Sequence, residues 1–314
     1  MKKHIPITIV LLCSLFFSCS DNNDDNANKT ATGEYRVIFS GNITNAEAVQ
    51  KVKEEIGSAT REIVIFGTTQ LTNLDLSSIK KLNKLEINQN SNLLNLNLDG
   101  LTTIVEHIEI QNNTSNINFN FQNLKRLDNT GLIYYNNASL YLSFPSLVVV
   151  NNIDIENVLL QSLSLPELKE VSCDKFIYGT NNSVEGEFSI ENTSITTLNL
   201  PKLEKSKKIN LLSNGNLSNV SIPLLNYSME IAIWGNTSSF TSASVNYILS
   251  RYLTISPSNG KIIDFSEVQA PPTGQGIIDK NTLITNGNTV ITNWFYPQLC
   301  GFCIFDKKDD RRIF

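Results

Sequence analysis

Few side chains in this sequence could act as a catalytic base at neutral pH, because histidine is scarce. The sequence holds only His4 and His107, and His4 lies in an apolar N-terminal segment. A Ser-His-Asp or Cys-His site would therefore have to use His107. This residue precedes Ile108 in an alternating Ile-x-Ile unit, so we predict that it faces outward, beside Glu109. No catalytic role is predicted for it.

Paired carboxylates are the second candidate chemistry, because glycosidases use two acids about 5 to 9 Å apart. Glu86, Glu109 and Asp154 each stand between two aliphatic residues of such a unit, which predicts that they face outward on different strands. Neighbouring parallel strands lie about 4.8 Å apart, so Glu86 and Glu109 would meet the required spacing. A flat sheet without walls makes a poor cleft, however, and we favour a solvated acidic face.

Cys300 and Cys303 form a single Cys-x-x-Cys pair. A redox centre would place this pair in a thioredoxin-like βαβ context, which the sequence lacks. Zinc would need two more Cys or His ligands, and none lie nearby in the sequence. A local disulfide and two idle thiols remain as alternatives. We therefore predict no catalytic residue, no metal site and no cofactor.

Cys19 is the expected site of a covalent lipid. Two lysines precede an apolar run at 7–17, and Ser18 is the small residue before the cysteine. This is the order of a secretory signal cleaved before Cys19, and the run is shorter than the roughly 17 to 25 apolar residues of a spanning helix. An ordinary secretory signal with a chance cysteine is the alternative.

The same segment resembles a bacterial lipoprotein signal with its lipobox. The acidic stretch at 20–25 resembles the signal that sends lipoproteins of Bacteroidetes type to the outer face of the outer membrane. The resemblance implies an outer-membrane lipoprotein that is attached through its N-terminal lipid only and is exposed at the cell surface.

The charge of the mature chain bounds its partners. Without the predicted signal, 23 basic and 30 acidic residues remain, a net charge of −7. This charge argues against nucleic acid and against adhesion to anionic lipid. We expect a monomer whose body is soluble.

A repeat sets the predicted fold. An apolar-x-apolar unit, with another apolar residue three positions later, recurs in steps of 22, 23, 23, 21, 35 and 22 residues. The seven units are 74–76, 96–98, 119–121, 142–144, 163–165, 198–200 and 220–222. Alternation with period two predicts a short strand in each unit.

A second set of strands, each followed by asparagine, is interleaved about 11 residues away. Its members are 85–87 with Asn90, 108–110 with Asn113, 132–134 with Asn137, 153–155 with Asn157, 209–211 with Asn214 and 231–233 with Asn236. Each repeat of about 22 residues then reads strand, bend, strand, bend, and stacked repeats bury one apolar column. The asparagines would form an internal ladder of side-chain hydrogen bonds.

The Pro-x-Leu units at 145–147, 166–168 and 201–203, which alternate with Ile-x-Ile-x-x-Asn units, resemble the receptor L-domain and related leucine-rich-repeat surface lipoproteins of Bacteroidetes. The resemblance covers about residues 63 to 233. It implies a mainly β fold, a right-handed β-solenoid with two short strands per repeat and small helical caps. It does not identify a ligand.

Segments that would cap the repeats stand at both ends. Upstream, 35–39 reads as a strand, and Thr44 with Glu47 forms a capping box for a helix whose apolar face is Val49, Val52 and Ile56. Downstream, the pattern predicts helix 242–253, strand 261–265, helix 279–286 and strand 289–292. The predicted organisation is signal 1–18, acidic tether 19–33, β-α cap 34–62, repeats 63–240, α/β cap 241–293 and a tail of unknown role at 294–314.

The 35-residue step contains an insertion of about 12 residues, and two registers are possible. In one, 176–178 is the regular strand and 179–190 is inserted. In the other, 188–190 is the regular strand and 173–187 bulges out. Insertions in repeat proteins often lie on the binding face. The predicted binding surface is Tyr178, Asn181, Asn182, Tyr135 and Trp234, with Glu86, Glu109 and Asp154.

The favoured function is a non-catalytic, membrane-anchored lipoprotein that binds a protein or a glycan. The first alternative is a structural or accessory component of an envelope uptake complex, which should expose an apolar patch larger than a few hundred Å². The second alternative is a polysaccharide-active enzyme that uses Glu86 and Glu109. It should show a walled cleft lined by acids whose pKa values are raised. A binding protein should instead show exposed aromatic residues near the insertion.

Overall fold

The protein is described by a computed structural model over residues 32–292, except 115–116, 135–138, 173–185, 237–238 and 269, and by its backbone alone at 118, 129–134 and 139. Over this part of the chain the fold is mainly β, with twenty strands and three helices. No helix in the described part has both the length and the apolar character needed to cross a membrane. Cys19, Cys300 and Cys303 lie outside the described residues.

The helices are α1 (Asn45–Glu55), α2 (Ser242–Thr254) and α3 (Gln275–Thr285). The strands are β1 (Arg36–Ser40), β2 (Glu62–Phe66), β3 (Asn73–Asp75), β4 (Lys81–Asn88), β5 (Asn95–Asn97), β6 (Thr103–Gln111), β7 (Asn118–Asn120), β8 (Arg126–Tyr134), β9 (Ser139–Ser143), β10 (Val149–Glu156), β11 (Leu159–Ser164), β12 (Glu170–Val171), β13 (Glu187–Glu191), β14 (Thr197–Asn199), β15 (Lys205–Ser206), β16 (Lys208–Leu212), β17 (Asn219–Ser221), β18 (Glu230–Ala232), β19 (Ile262–Asp264) and β20 (Thr289–Ile291).

A large parallel sheet of 13 strands contains the second predicted set. Its main path runs β1-β2-β4-β6-β8-β10-β13-β16-β18-β19-β20, with β12 and β15 alongside. Ile63 pairs with Leu85, and Leu85 pairs with Ile108, so equivalent residues of successive repeats are neighbours. Their side chains are buried and stack in one apolar column, and burying each contributes roughly 1.5 to 3 kcal/mol.

The first predicted set forms three smaller parallel sheets. They are β3-β5, β11-β9-β7 and β14-β17. Their inward residues, such as Leu74, Leu96 and Leu142, are buried. They belong to the same apolar core as the inward residues of the large sheet. Strands are therefore confirmed at both predicted positions of the repeat.

A third pairing column, which the sequence pattern does not predict, completes the repeat. β4 pairs with β6 at Leu82 and Ile104 and again from Lys84 onward, with a register shift between. β12 and β15 continue the first of these ladders as Glu170 pairs with Lys205. This column buries only one side chain per repeat, for example Leu82, so it has no period-two alternation to detect.

The insertion takes the second of the two predicted registers. Phe188 pairs with Ile153 on one side and with Ile209 on the other, so β13 is the regular strand. The register that places the regular strand at 176–178 is wrong, because 188–190 occupies that position in the sheet. Asn152 Oδ1 accepts hydrogen bonds from the backbone of Gly186 and Glu187, at 3.0 and 2.9 Å, and holds the chain where β13 begins.

The predicted asparagine ladder is present at Asn90, Asn113, Asn214 and Asn236. Asn90 Oδ1 accepts from Thr68 N at 3.1 Å, and Asn90 Nδ2 donates to Ile65 O at 2.9 Å. Asn214 makes the equivalent bonds with Thr193 N and Ile190 O. These amides are buried and satisfy backbone groups at the corners of the repeat.

Asn157 lies outside this ladder, so the prediction that places it there is wrong. The ladder position lies three residues after the last inward residue of the strand, and after Ile155 that position is the buried Val158. Asn157 stands one residue earlier, at φ 53°, where asparagine is tolerated in the left-handed region. Asn137 lies outside the described residues.

Helix α1 begins at the predicted capping box. Thr44 Oγ1 accepts from Glu47 N, and Glu47 Oε2 accepts from Thr44 N at 2.8 Å. The predicted apolar face is wrong at Val49, which is exposed, whereas Ala48 is buried. The helix therefore presents a face shifted by one residue, and Val52 and Ile56 pack against the core as predicted.

Helix α2 follows its prediction, with Val245, Ile248, Leu249 and Tyr252 buried. Helix α3 begins four residues before its predicted start, because Gly274, at φ 51°, ends the turn and Gly276 is already helical. A Cβ at Gly276 would lie 1.8 Å from Asn246 Oδ1 of α2, so this glycine permits close packing of the two helices.

Candidate functional site

The outward side of the large sheet carries polar residues on β4, β6, β10, β13 and β16, and we name these residues the polar face. The alternation that buries Leu85 and Ile108 turns Glu86, Glu109, Asp154 and Asn210 outward. Each of these four is half-buried between neighbouring strands. The polar face therefore holds charged groups in fixed register.

Glu86 and Glu109 are direct partners across β4 and β6, and Lys84 is the partner of His107. His107 Nε2 lies 3.8 Å from Glu86 Oε1, and Lys84 Nζ lies 3.2 Å from the same oxygen. One ligand atom from each of Glu86, His107 and Glu109 lies within 4.8 Å of the others. We name these three residues the Glu-His-Glu cluster, which combines the predicted acids with the predicted outward histidine.

Two amides hold Glu109. Asn88 Nδ2 donates to Glu109 Oε1 at 3.0 Å, and Gln111 Nε2 donates to the same oxygen. Asn88 is only 7% exposed, and its Oδ1 has no hydrogen-bond partner among the described residues. A buried amide oxygen without a partner is unusual in a folded protein.

Asp154 stands in a second acidic group, which the structure does not bring to Glu86. β8 lies between β6 and β10, so roughly 10 Å of sheet separates Asp154 from Glu109. Burial raises the pKa of Asp154 to about 6, and the charges of Glu156, Glu187 and Glu191 add to the effect.

The neighbours of Asp154 were missed because of where they lie in the sequence. Glu187 and Glu191 flank a strand whose register the sequence left open, and Glu156 follows the last residue of its alternating unit. Burial, and then the charge of Glu156, also raises the pKa of Glu191.

A cavity of about 610 Å³ lies beside the insertion. Ser172 and Gly186, the described residues on either side of the insertion, both line it. The other described lining residues are Glu170, Val171, Lys205, Lys207, Asn226, Tyr227 and Ser256. Tyr227 is 37% exposed. The sequence pattern missed this site because Tyr227 belongs to the third pairing column, where it bridges Lys205 and Ser256.

The remaining predicted residues are only partly placed. Trp234 is half-buried just after β18. Tyr135, Tyr178, Asn181 and Asn182 lie outside the described residues.

No family model, curated protein or solved structure matches this chain. What the Glu-His-Glu cluster and the cavity can bind is therefore judged from their own side chains. The described lining of the cavity offers one carboxylate, Glu170, with two lysines, an amide and a phenol. That set suits hydrogen bonding and stacking rather than hydrolysis by an acid pair.

Proposed function

We propose that this protein is a non-catalytic binding protein, held at the cell surface by a lipid on Cys19, and that it binds a protein or a glycan in the cavity beside Tyr227. The observation that carries the proposal is the cavity itself. It combines an exposed aromatic ring with donors and acceptors of both charges, and it adjoins the one large insertion in the repeats.

We also propose that the repeats form a right-handed β-solenoid of the receptor L-domain kind. The support is the parallel pairing of the strands, in which equivalent residues of successive repeats pair in the order of the chain. Stacking of this kind leaves side chains of each repeat on extended outer surfaces, which repeat proteins use for binding.

The chemistry of the cavity favours a ligand with both polar groups and a flat apolar surface. A cavity of a few hundred Å³ is the usual size for a small ligand or for one side chain or sugar of a larger one. Tyr227 offers a ring for stacking, and Lys205, Lys207 and Glu170 surround it with charged hydrogen-bonding groups. Lys205 Nζ and Glu170 Oε1 are 3.9 Å apart, so both remain close enough to contact one ligand.

The test is binding of the full chain to glycan and extracellular-protein arrays, followed by affinity measurement on the ligands found. Tyr227→Ala should weaken binding at least about tenfold, because buried aromatic contacts dominate most interfaces. Tyr141→Ala is the matched control, since Tyr141 is 47% exposed on β9, in a different sheet. Equal effects of the two substitutions, or no ligand on either array, would overturn the proposal.

An accessory role in an envelope complex is a second candidate, favoured by α3. Ile277, Ile278 and Ile284 are exposed there, at 48%, 57% and 46%. Ile278→Asp should release a partner protein without lowering the stability of the chain. Retention of every co-purified partner by this variant would exclude the helix as the contact.

A further inference from the structure

We propose that Glu86, His107 and Glu109 form a binding site for a divalent transition-metal ion, with Zn²⁺ as the best fit, and that the amide of Asn88 holds Glu109 in place for it. This site is independent of the proposed ligand cavity, and the sequence pattern predicts no metal site at all.

The geometry of the Glu-His-Glu cluster is close to that of bound zinc. Zinc holds His nitrogen and carboxylate oxygen at about 2.0 to 2.2 Å, so two ligand atoms on one ion are roughly 3.3 Å apart. His107 Nε2 and Glu86 Oε1 are 3.8 Å apart, and all three ligand atoms lie within 4.8 Å of one another. Small side-chain rotations would bring them onto an ion.

The backbone already places these ligands. Glu86 and Glu109 are register partners on adjacent strands, and His107 is two residues before Glu109, so all three project from one side of the sheet. The strands belong to the continuous large sheet, and their inward neighbours, such as Leu85 and Ile108, are buried. Only side-chain torsions therefore remain to be fixed on binding.

Asn88 supports the cluster from a buried position. Its Nδ2 donates to Glu109 Oε1, which fixes its amide against the cluster, while its buried Oδ1 has no partner among the described residues. Glu109 would also be oriented by Asn88 and Gln111, as carboxylate ligands of metals usually are by their neighbours.

Lys84 is the cation that now neutralises Glu86, with Nζ 3.2 Å from Oε1. An incoming ion would compete with it. Lys84 is the register partner of Glu62 on β2 as well as of His107 on β6, so its ammonium has a second carboxylate to turn toward. Replacing Lys84 should therefore not harm metal binding.

The donor set selects the class of ion. Calcium and magnesium prefer sites made of oxygen alone, and calcium takes six to eight ligands. An imidazole with two carboxylates favours zinc and related transition ions. The outward side of the cluster would leave a coordination position for water or for a donor of another molecule.

The test is calorimetric titration of the full chain, with its five cysteines replaced by serine so that thiols take no part. We expect one Zn²⁺ to bind at least tenfold more tightly than Ca²⁺ or Mg²⁺. His107→Gln and Glu109→Gln should each weaken Zn²⁺ binding at least tenfold, and Asn88→Ser by about 10- to 100-fold, the usual effect of losing a supporting contact. Lys84→Ala should bind Zn²⁺ as tightly as the parent chain or more tightly.

Asp154→Asn is the matched control, because it removes a half-buried acid from the same face two strands away. It should leave Zn²⁺ affinity unchanged. Imidazole nitrogen NMR provides a direct readout, since the chain has only two histidines and His107→Gln identifies the signal that should shift with Zn²⁺. An unshifted His107 signal, or equal weakening by Asp154→Asn and His107→Gln, would overturn the proposal.

Discussion

Asn90 Nδ2 donates to Asn113 Oδ1 at 3.0 Å, and this buried contact joins the corners of two successive repeats. Asn113 Nδ2 in turn donates to Ile87 O at 2.7 Å, as Asn90 does to Ile65 O. The ladder therefore ties each corner to the strand of the repeat before it. Its loss should loosen the stack at one defined level.

Asn90→Ala should lower the free energy of unfolding by roughly 3 kcal/mol or more, because it leaves several buried backbone and amide groups without partners, each costing about 1 to 3 kcal/mol. Urea denaturation measures the change. Asn92→Ala is the control, since Asn92 is exposed and its bond to Thr69 O lies at the surface. Similar midpoints for the two variants would show that the ladder contributes little.

Asp154 should make the folded protein less stable as the pH rises from 4 to 7. Its pKa is raised to about 6 by burial and by the neighbouring acids, whereas the pKa of an unfolded Asp is about 3.9. Between these values the folded state holds a proton that the unfolded state has released, so stability falls as pH rises. Two pKa units correspond to about 2.7 kcal/mol.

Asp154→Asn should therefore raise stability at pH 7 and flatten this dependence, as urea melts across the pH range would show. The exposed Glu106 on β6 gives the matched control, Glu106→Gln. If Asp154→Asn leaves the pH dependence of stability unchanged, burial and the neighbouring acids do not destabilise the charged form of Asp154 in the folded state.

Lys261 is a buried cation at the end of α2. Its Nζ donates to Tyr252 O at 2.7 Å and to Ile255 O at 2.9 Å, and its side chain is almost fully enclosed. A base at a helix C-terminus satisfies carbonyls that have no partner within the helix. Lys261→Met should cost roughly 2 to 4 kcal/mol, measured by thermal or urea unfolding. Lys53→Met, at an exposed position of α1, should change stability little.

Much of the repeat follows from local patterns. Period-two alternation predicts both strand sets, and the capping box predicts the start of α1. The third column escapes prediction because one buried residue per repeat, such as Leu82, leaves no alternation. Val158 occupies a ladder position where the other repeats have asparagine, so its residue type does not mark the position. Only the register of the sheet shows that this position is Val158 and not Asn157.

The candidate sites show the same division. The pairing of Glu86 with Glu109 follows from the repeat length, and the outward direction of His107 follows from Ile108. The 3.8 Å approach of His107 to Glu86 depends on side-chain rotamers, which a pattern of residue types does not specify. The cavity at Tyr227 depends on the third column and on the insertion register, so neither its lining nor its size is predictable from the sequence.

The lipid on Cys19 is a separate prediction. Cells that produce the chain should incorporate labelled palmitate into it, and Cys19→Ser should abolish the label and release the protein from membranes. Cys13→Ser is the control, because Cys13 lies within the apolar run before the expected cleavage point. Label that survives Cys19→Ser would place the lipid elsewhere.

Protease treatment of intact cells tests the central claim, a binding protein displayed at the cell surface, most directly. We predict that protease added outside removes the part of the chain from 32 to 292 while a periplasmic marker stays intact. Protection of this part until the outer membrane is opened would contradict surface display and would assign the protein to the periplasmic side.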